Sequence, residues 1–293
     1  MQAILIIAHK NIEQVFQLAD ILTKRFDVYV HFDKKCIIPD IYIHKFKNMP
    51  RLHIYSQYYV HWGAFSIVEV TLLLLREALA NKENTYFHLI SGMDWPVKNI
   101  DEIYDFYENS DSIYLRYINA AQLKKSGEPT LWWQKYYYHY DIINRKSLFG
   151  KIYHRLNLLI QTLLGVNKFK KLNIHGDIYE GSQWCDLPRY AVKYSLEHMK
   201  QGHPYYEMLR TGFCSDEFFF QTLLCNSPFK SKIVNDNHRY IKWVHKYHDG
   251  KRYPAILTES DYETVINPQY HFARKVTLDK SKNLIDLLKI IFS

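Results

Sequence analysis

The first third of the chain alternates between short apolar runs and amphipathic helical stretches, and that rhythm leaves few folds open. Residues 3–8, 28–32, 51–56, 86–90 and 112–117 have the length and the β-branched or aromatic content of buried strands. Between them, residues 12–26 place Val15, Phe16, Leu18, Ala19 and Leu22 on one helical face, and residues 101–107 form a short helix. The helix over 67–80 opens with Ser66-x-x-Glu69, the spacing of a capping box. Strands alternating with helices predict a largely parallel sheet covered on both faces.

The ends of these strands carry the functional signal. His88-Leu-Ile-Ser-Gly-Met-Asp-Trp-Pro-Val-Lys98 is an apolar run that halts at Ser91-Gly92 and then presents a carboxylate and an indole. Gly92 permits a sharp turn, and Pro96 is expected to stop the strand. Three other strands finish similarly, at Ala8-His9-Lys10-Asn11, at His31-Phe32-Asp33-Lys34-Lys35 and at Tyr59-Val60-His61-Trp62-Gly63. One such ending is an ordinary polar turn. Four on one edge of a parallel sheet favour a nucleotide-like site, because open α/β sheets bind ligands beyond the carboxyl ends of their strands. Neither GxGxxG nor GxxxxGK[ST] occurs, so the dinucleotide fingerprint and the P-loop do not apply.

A net charge of +8 favours anionic partners, among them a nucleotide phosphate, an anionic membrane or nucleic acid. Twenty-five Tyr and 16 Phe supply core, and some could stack on sugars or bases. Cys36, Cys185, Cys214 and Cys225 form no CxxC pair, which argues against a zinc or redox motif and for reduced thiols in the cytosol. The longest charge-free apolar stretch, 156–167, falls short of a membrane span. Residues 146–165, followed by Lys168, Lys170 and Lys171, form a basic amphipathic stretch. Its ordinary reading is a surface helix with the apolar face on the core; the alternative is a membrane-surface helix or acceptor-binding lid. The same pair of readings applies to 283–292.

Two further segments carry polar groups at structural junctions. Gly181-Ser-Gln-Trp-Cys-Asp-Leu-Pro-Arg-Tyr190 feeds a helix with Pro188 near its first turn. In Gly212-Phe-Cys-Ser-Asp-Glu-Phe-Phe-Phe-Gln-Thr-Leu-Leu224, Ser215 can cap a helix whose first turn holds Asp216 and Glu217. Local sequence favours plain capping there over a catalytic carboxylate.

Taken in order, HLISGMDWPVK, GSQWCDLPRY and SDEFFFQTLL, with VHWGAFS at 60–66 and HFARK at 271–275, resemble glycosyltransferase family 14, in a bacterial form. That family holds the core-2 and I-branching β-1,6-N-acetylglucosaminyltransferases and the peptide O-xylosyltransferases. The resemblance implies an α/β GT-A-type fold, a Rossmann-like, mostly parallel central sheet flanked by helices. It implies one catalytic domain over 1–293, with a nucleotide-sugar half at 1–120 and an acceptor and catalytic half at 121–293. It also implies an inverting transfer from a UDP-sugar to a glycan or glycolipid hydroxyl, without a metal or other cofactor. The chain contains no Asp-x-Asp, and its nearest approach is Asp261-Tyr-Glu263.

Carried over residue by residue, the family's base falls on Glu217 and a phosphate contact on Lys275. The phosphate-binding Arg falls on Arg252 or Arg239. His9, Asp33, His61 and Trp62 match donor-side positions, and Asp94, Trp95, Lys135, Trp184, Asp216 and Trp243 match the acceptor side. Two fixed cations can stabilise a departing diphosphate in place of a divalent ion, and one ionised carboxylate opposite suffices for inversion. On this reading a helix N-terminus keeps Glu217 ionised. The expected setting is cytoplasmic, with peripheral contact at an anionic inner membrane face. The competing reading is a polyanion- or nucleic-acid-binding protein, whose binding would fall steeply with salt; scattered basic residues and the lack of an RNA-binding motif count against it.

Overall fold

The computed structural model describes residues 1–125, 127–245 and 252–292, with His245, Arg252 and Phe292 described by backbone alone. The first part of the chain runs β1 (Gln2–Ala8), α1 (Ile12–Leu22), β2 (Asp27–Phe32), α2 (Asp40–Lys47), β3 (Leu52–Tyr55), α3 (Ser66–Ala80) and β4 (Tyr86–Ser91). It continues through β5 (Asp94–Pro96), α4 (Ile100–Glu108), β6 (Ile113–Asn119), β7 (Lys124–Lys125) and β8 (Glu128–Pro129). A helical middle follows, with α5 (Trp132–Lys135), α6 (Leu148–Leu163) and α7 (Lys168–Lys171). Then come β9 (Tyr179–Pro188), α8 (Arg189–His198), α9 (Pro204–Arg210) and α10 (Phe219–Cys225). The last part holds β10 (Ile233–Val234), β11 (Arg239–Ile241), β12 (Trp243–His245), β13 (Arg252–Pro254), α11 (Tyr262–Val265), β14 (Phe272–Arg274) and α12 (Lys282–Lys289).

Seven strands form the central sheet in the order β10-β6-β9-β4-β1-β2-β3. The run β3-β2-β1-β4 is parallel, so His9, Asp33 and Gly92 emerge at one edge. Strand β9 runs antiparallel to both β4 and β6, which brings its amino end, with Glu180, to that same edge. The result is the mixed α/β, Rossmann-like architecture expected from the alternation. Two apolar cores lie on opposite faces of the sheet, and each draws residues from both halves of the chain.

Several local expectations are corrected. Helix α1 stops at Leu22, and Phe26 is fully buried, its ring 5.8 Å from that of His88. Ser66 does not cap α3; its hydroxyl accepts from the His61 amide at 3.0 Å. The start of α3 is capped by a distant carboxylate, Asp141, which accepts from the Phe65 and Ser66 amides at 3.3 and 3.2 Å. The stop at Pro96 closes a second strand rather than β4, which ends at Ser91. The chain turns at Gly92-Met93 and enters β5, which pairs antiparallel with β14, Trp95 opposite Ala273 and Asp94 opposite Arg274. Two segments 180 residues apart are thereby joined.

Helix α6 overturns the ordinary reading of an apolar face on the core. It buries Gly150, His154 and Gln161, packs Tyr153 and Leu158 partly against the core, and turns Leu148, Leu156, Leu159 and Leu163 to solvent. The inner seam is polar because it clamps the aromatic run. His154 Nε2 meets Glu128 at 3.0 Å, Gln161 Nε2 donates to the Tyr137 carbonyl at 2.8 Å, and Asn157 Nδ2 donates to the same carbonyl at 2.8 Å. Helix α12 behaves in the ordinary way, burying Leu284, Ile285 and Leu288. All four cysteines are free thiols. Among the described residues no helix is long and apolar enough to cross a membrane.

A buried polar knot ties these pieces to the sheet. Asp186, near the carboxyl end of β9, is fully buried and receives both terminal nitrogens of Arg239, with Arg239 Nη2 at 2.6 Å from Oδ1. His88 Nδ1 lies 2.8 Å from Asp186 Oδ1, and the Tyr107 hydroxyl donates to Oδ2 at 2.8 Å. Burial opposes the charge on Asp186, but Arg239 and His88 outweigh it and hold the carboxyl well below the usual range. Replacing Asp186 with Asn strands a buried guanidinium. Asp186→Asn should therefore cost about 3–5 kcal/mol of stability, read as the shift in the urea midpoint of unfolding. An unchanged midpoint would show that the knot is not a stabilising element.

Candidate active site

The cationic part of the edge is built around Lys275. Its amide donates to the Ala255 carbonyl at 3.1 Å, and its carbonyl accepts from Leu257 at 2.8 Å, so the backbone is held on both sides. Its neighbour Arg274 is sandwiched. Arg274 Nε is 3.3 Å from Asp94 Oδ1, and its guanidinium lies 4.3 Å from the centre of the Trp184 ring. Asp94 is fixed in turn by the Ser91 amide at 2.9 Å. Among the described residues no carboxylate pairs with Lys275. Its ammonium is pushed below the usual lysine range by burial first, then by Arg274, Lys10 and Lys146. His9 is lowered by burial, Lys10 and Lys275, against the pull of Asp33. Asp94 also acts on Lys275, but against the surrounding cations it leaves the ammonium without a paired carboxylate, an arrangement prepared for an anion.

Beside it, the ends of β2 and β3 form a rigid shelf. Buried Asp33 accepts from the Lys35 amide at 3.0 Å and the Val60 amide at 3.3 Å. His31 Nε2 accepts from the Gln57 and Tyr58 amides at 3.1 and 3.2 Å, and burial lowers its pKa to about 4, which keeps it neutral and accepting. His31 was not singled out in the sequence, although it stands two residues before Asp33 on the same strand face. A shallow cleft of about 450 Å³ lies behind the cations, lined by residues that include Lys10, Gln14, Met93 and Thr277.

The carboxylate part lies on the other side of the edge. Glu217 belongs to a tight turn, Ser215–Glu217, ahead of α10, and its side chain is 35% exposed. Ser215 is no cap: its hydroxyl donates to the Leu209 carbonyl at 2.6 Å. The charge on Glu217 is steadied by Lys125, whose Nζ donates to Oε2 at 3.0 Å and also binds Glu180, rather than by a helix end. Burial raises the Glu217 pKa, Lys125 opposes this, and Glu180 adds to it. Asp216 is pushed up to about 7 by burial and by Glu217. For Lys125, burial opposes the charge, but Glu217 and Glu180 raise the pKa overall. Lys125 and Glu180 escaped sequence reasoning because one is a surface-type lysine before a turn and the other sits outside any recognisable motif.

An aromatic bridge joins the two parts. Lys146 Nζ lies 4.9 Å from the Trp62 ring centre, Trp62 meets Phe213 edge-on at 5.7 Å, and Phe213 tilts against Trp133 at 4.7 Å. Lys125 lies 5.7 Å from the Trp133 ring. The two loops are stitched by Cys214, whose amide donates to the Gly63 carbonyl at 2.9 Å. Gly63 is required here: its φ is +75°, and a β-carbon would fall 2.5 Å from Phe213.

The remaining sequence candidates divide clearly. Trp62 and Trp243 are more than half exposed at the rim, and the His61 amide is engaged by Ser66. Trp243 opens the β12–β13 ribbon, opposite Pro254. Trp95 is fully buried beneath β14 and Trp184 is 8% exposed beneath Arg274, so both support the site from below. Asp94 likewise acts on Arg274 from a buried position. Lys135 lies over the Tyr136 ring at 5.3 Å. Arg239 is corrected outright. It is buried and consumed by Asp186, which leaves it no reach to a phosphate. The side chain of Arg252 lies outside the described residues.

This arrangement sits on a chain whose relatives can be stated. The sequence profile of the core-2/I-branching enzyme family matches residues 3–266, and the chain belongs to that family of glycosyltransferases. No curated protein sequence matches it. Among solved structures, it is similar to residues 1–349 of Staphylococcus aureus TarS in complex with UDP, at 13% identity, TM-score 0.34, covering 72% of this chain and 55% of that one. TarS 1–349 in complex with UDP-GlcNAc aligns at 16% identity, TM-score 0.29, over 44% of this chain and 37% of that one. HddC from Yersinia pseudotuberculosis aligns at 10% identity, TM-score 0.26, over 41% and 60%. The chain spans about half the length or less of the TarS chains it matches.

The Asp94–Arg274 pair makes the cationic cluster depend on β5. Asp94→Asn should weaken binding of pyrophosphate, as a plain anionic probe of the cluster, by about tenfold, roughly 1.4 kcal/mol, when measured by calorimetry. Unchanged affinity would remove Asp94 from any part in positioning the cations.

Proposed function

We propose that the protein is an inverting, metal-independent transferase that moves a sugar from a UDP-sugar onto a hydroxyl of a glycan or glycolipid acceptor. Within the family's range, the donor is UDP-GlcNAc and the linkage β-1,6. The observation that supports this best is the pairing of a cation cluster at Lys275, whose ammonium pairs with no described carboxylate, with a lysine-steadied carboxylate at Glu217, on one sheet edge. The diphosphate rests against Lys275 and its cationic neighbour Lys10, with the imidazole of His9 beside them and the nucleoside over the Asp33 and Trp62 shelf. Glu217 takes the proton of the acceptor hydroxyl as its oxygen attacks the anomeric carbon. The bond from that carbon to the diphosphate breaks, and its electron pair leaves with UDP. Fixed cations stabilise this developing charge because they need no reorganisation during the reaction.

In this scheme Lys125 and Glu180 are positioning residues. They set the orientation and proton affinity of Glu217 without touching the reacting atoms. Glu217 raises the pKa of its neighbour Asp216, so both carboxyls bear on the acid limb of activity.

Glu217→Gln should reduce turnover by about 10²–10⁴-fold while leaving UDP affinity intact, as read by UDP release and by calorimetry. Chelators should leave the rate unchanged; a chelator-sensitive rate restored by Mn²⁺ would remove the metal-free part of the scheme. Near-normal turnover in Glu217→Gln would remove the assigned base. A panel of UDP-sugars, scored by UDP release, identifies the donor.

The carboxyl pKa shifts predict a pH profile. Because burial raises Glu217, the acid limb of kcat/KM should fall above the ordinary glutamate range. Lys125 lowers the Glu217 pKa, so Lys125→Met should move that limb to still higher pH. A limb that stays in place would show that Lys125 does not poise the base.

A further inference from the structure

We propose that the outer face of α6 docks the protein onto an anionic lipid bilayer. Leu148, Phe149, Ile152, Leu156, Leu159 and Leu163 are each between 51 and 77% exposed. At about 100° per residue they fall on one stripe, opposite the buried seam of Gly150, His154 and Gln161. The helix is not free to roll this stripe inward. Its polar side is fastened to Glu128 and to the Tyr137 backbone, so the fold itself fixes the apolar side outward. A contiguous apolar patch of this kind marks an interaction surface.

Charge selects the occupant. Residues 142–176 contain seven Lys or Arg and no Asp or Glu. Lys151 and Arg155 are exposed along one flank of the stripe, and Lys170 and Lys171 lie exposed just beyond its carboxyl end. A second copy laid face to face would bring these cations together with no acids to meet them. An anionic bilayer matches both the stripe and its flanks: leucine side chains enter the acyl boundary while the basic side chains reach the headgroups. Helix α6 is about 24 Å long, too short to span the hydrocarbon core upright, so it lies in the membrane plane. Its amino end adjoins the site, because Lys146, two residues before it, covers the Trp62 ring and acts on His9 and Lys275.

The test is co-sedimentation of the full chain with phosphatidylcholine vesicles, with and without phosphatidylglycerol. The protein should pellet with the anionic vesicles, less so as salt rises, and remain in solution with phosphatidylcholine alone. Leu156→Glu/Leu159→Glu/Leu163→Glu should lower vesicle affinity on the order of tenfold or more, with unchanged circular dichroism. A second variant, Lys151→Glu/Arg155→Glu, should lose binding to anionic vesicles and shows that charge takes part. Wild-type protein left in the supernatant overturns the proposal, and so does a triple variant that binds like wild type. A dimer that the triple variant dissociates, without vesicle binding, would reassign the face to contact between copies. Docking stands independently of the transferase reading: failure of UDP binding with vesicle binding intact would sink only the latter.

Discussion

The buried pair of Asp186 and Arg239 is the constraint on which the rest of the molecule hangs. Two charges taken fully from water must be matched in geometry, and here the carboxylate also engages His88 and Tyr107. Through Tyr107 the knot reaches His238 and His271, each with Nδ1 2.9 Å from the phenol oxygen. Burial lowers the His271 pKa to about 2, with His238 adding to the effect, so this ring is neutral. The knot fixes the place where β11 and β14 meet the sheet, and β14 delivers Arg274 and Lys275 to the edge. Sites of opposite charge are thus held by a third charge pair that neither of them touches.

Much of the first 120 residues was legible because local pattern and tertiary fate agree there. Strands β1, β2 and β4 are buried along nearly their whole length, so a continuous apolar run marked them. The expectation failed where long-range contacts decide. Short strands such as β5 and β14 exist through long-range pairing, β14 with both β5 and β11, and no three-residue window encodes that. Helix capping by Asp141 and the Lys125–Glu180 contact are also invisible locally, since each joins segments dozens of residues apart. Motif matching gathered segments that the fold brings to one edge but blurred their roles. Of the matched positions, Trp95, Trp184, Asp94 and Arg239 are buried supports, whereas Lys275, Trp62 and Glu217 face the edge.

Amphipathic pattern proved ambiguous for a physical reason. Periodicity reports that a helix has two unlike faces; it does not say which one meets the protein. For α12 the apolar side is inward, and for α6 the inward side carries a Gln and an Asn that satisfy backbone groups of an aromatic loop and a His that meets Glu128 and the Tyr140 hydroxyl. A buried carbonyl without a partner is costly, so the loop's need for donors outweighs the gain from burying leucine.

Strand β9 has a mechanical consequence. It carries Glu180 at its first turn into the sheet, Trp184 under Arg274, and Asp186 in the central knot, all on one continuous ten-residue span. Such a strand acts as a ruler. The spacing between the anion-seeking side and the proton-accepting side is set by covalent pitch and anchored near the strand's carboxyl end, so the sheet cannot widen or narrow to suit a substrate. Any adjustment to ligands of different size must come from the segments that overhang the ruler: the Trp62 loop, the β7–β8 hairpin and the β12–β13 ribbon.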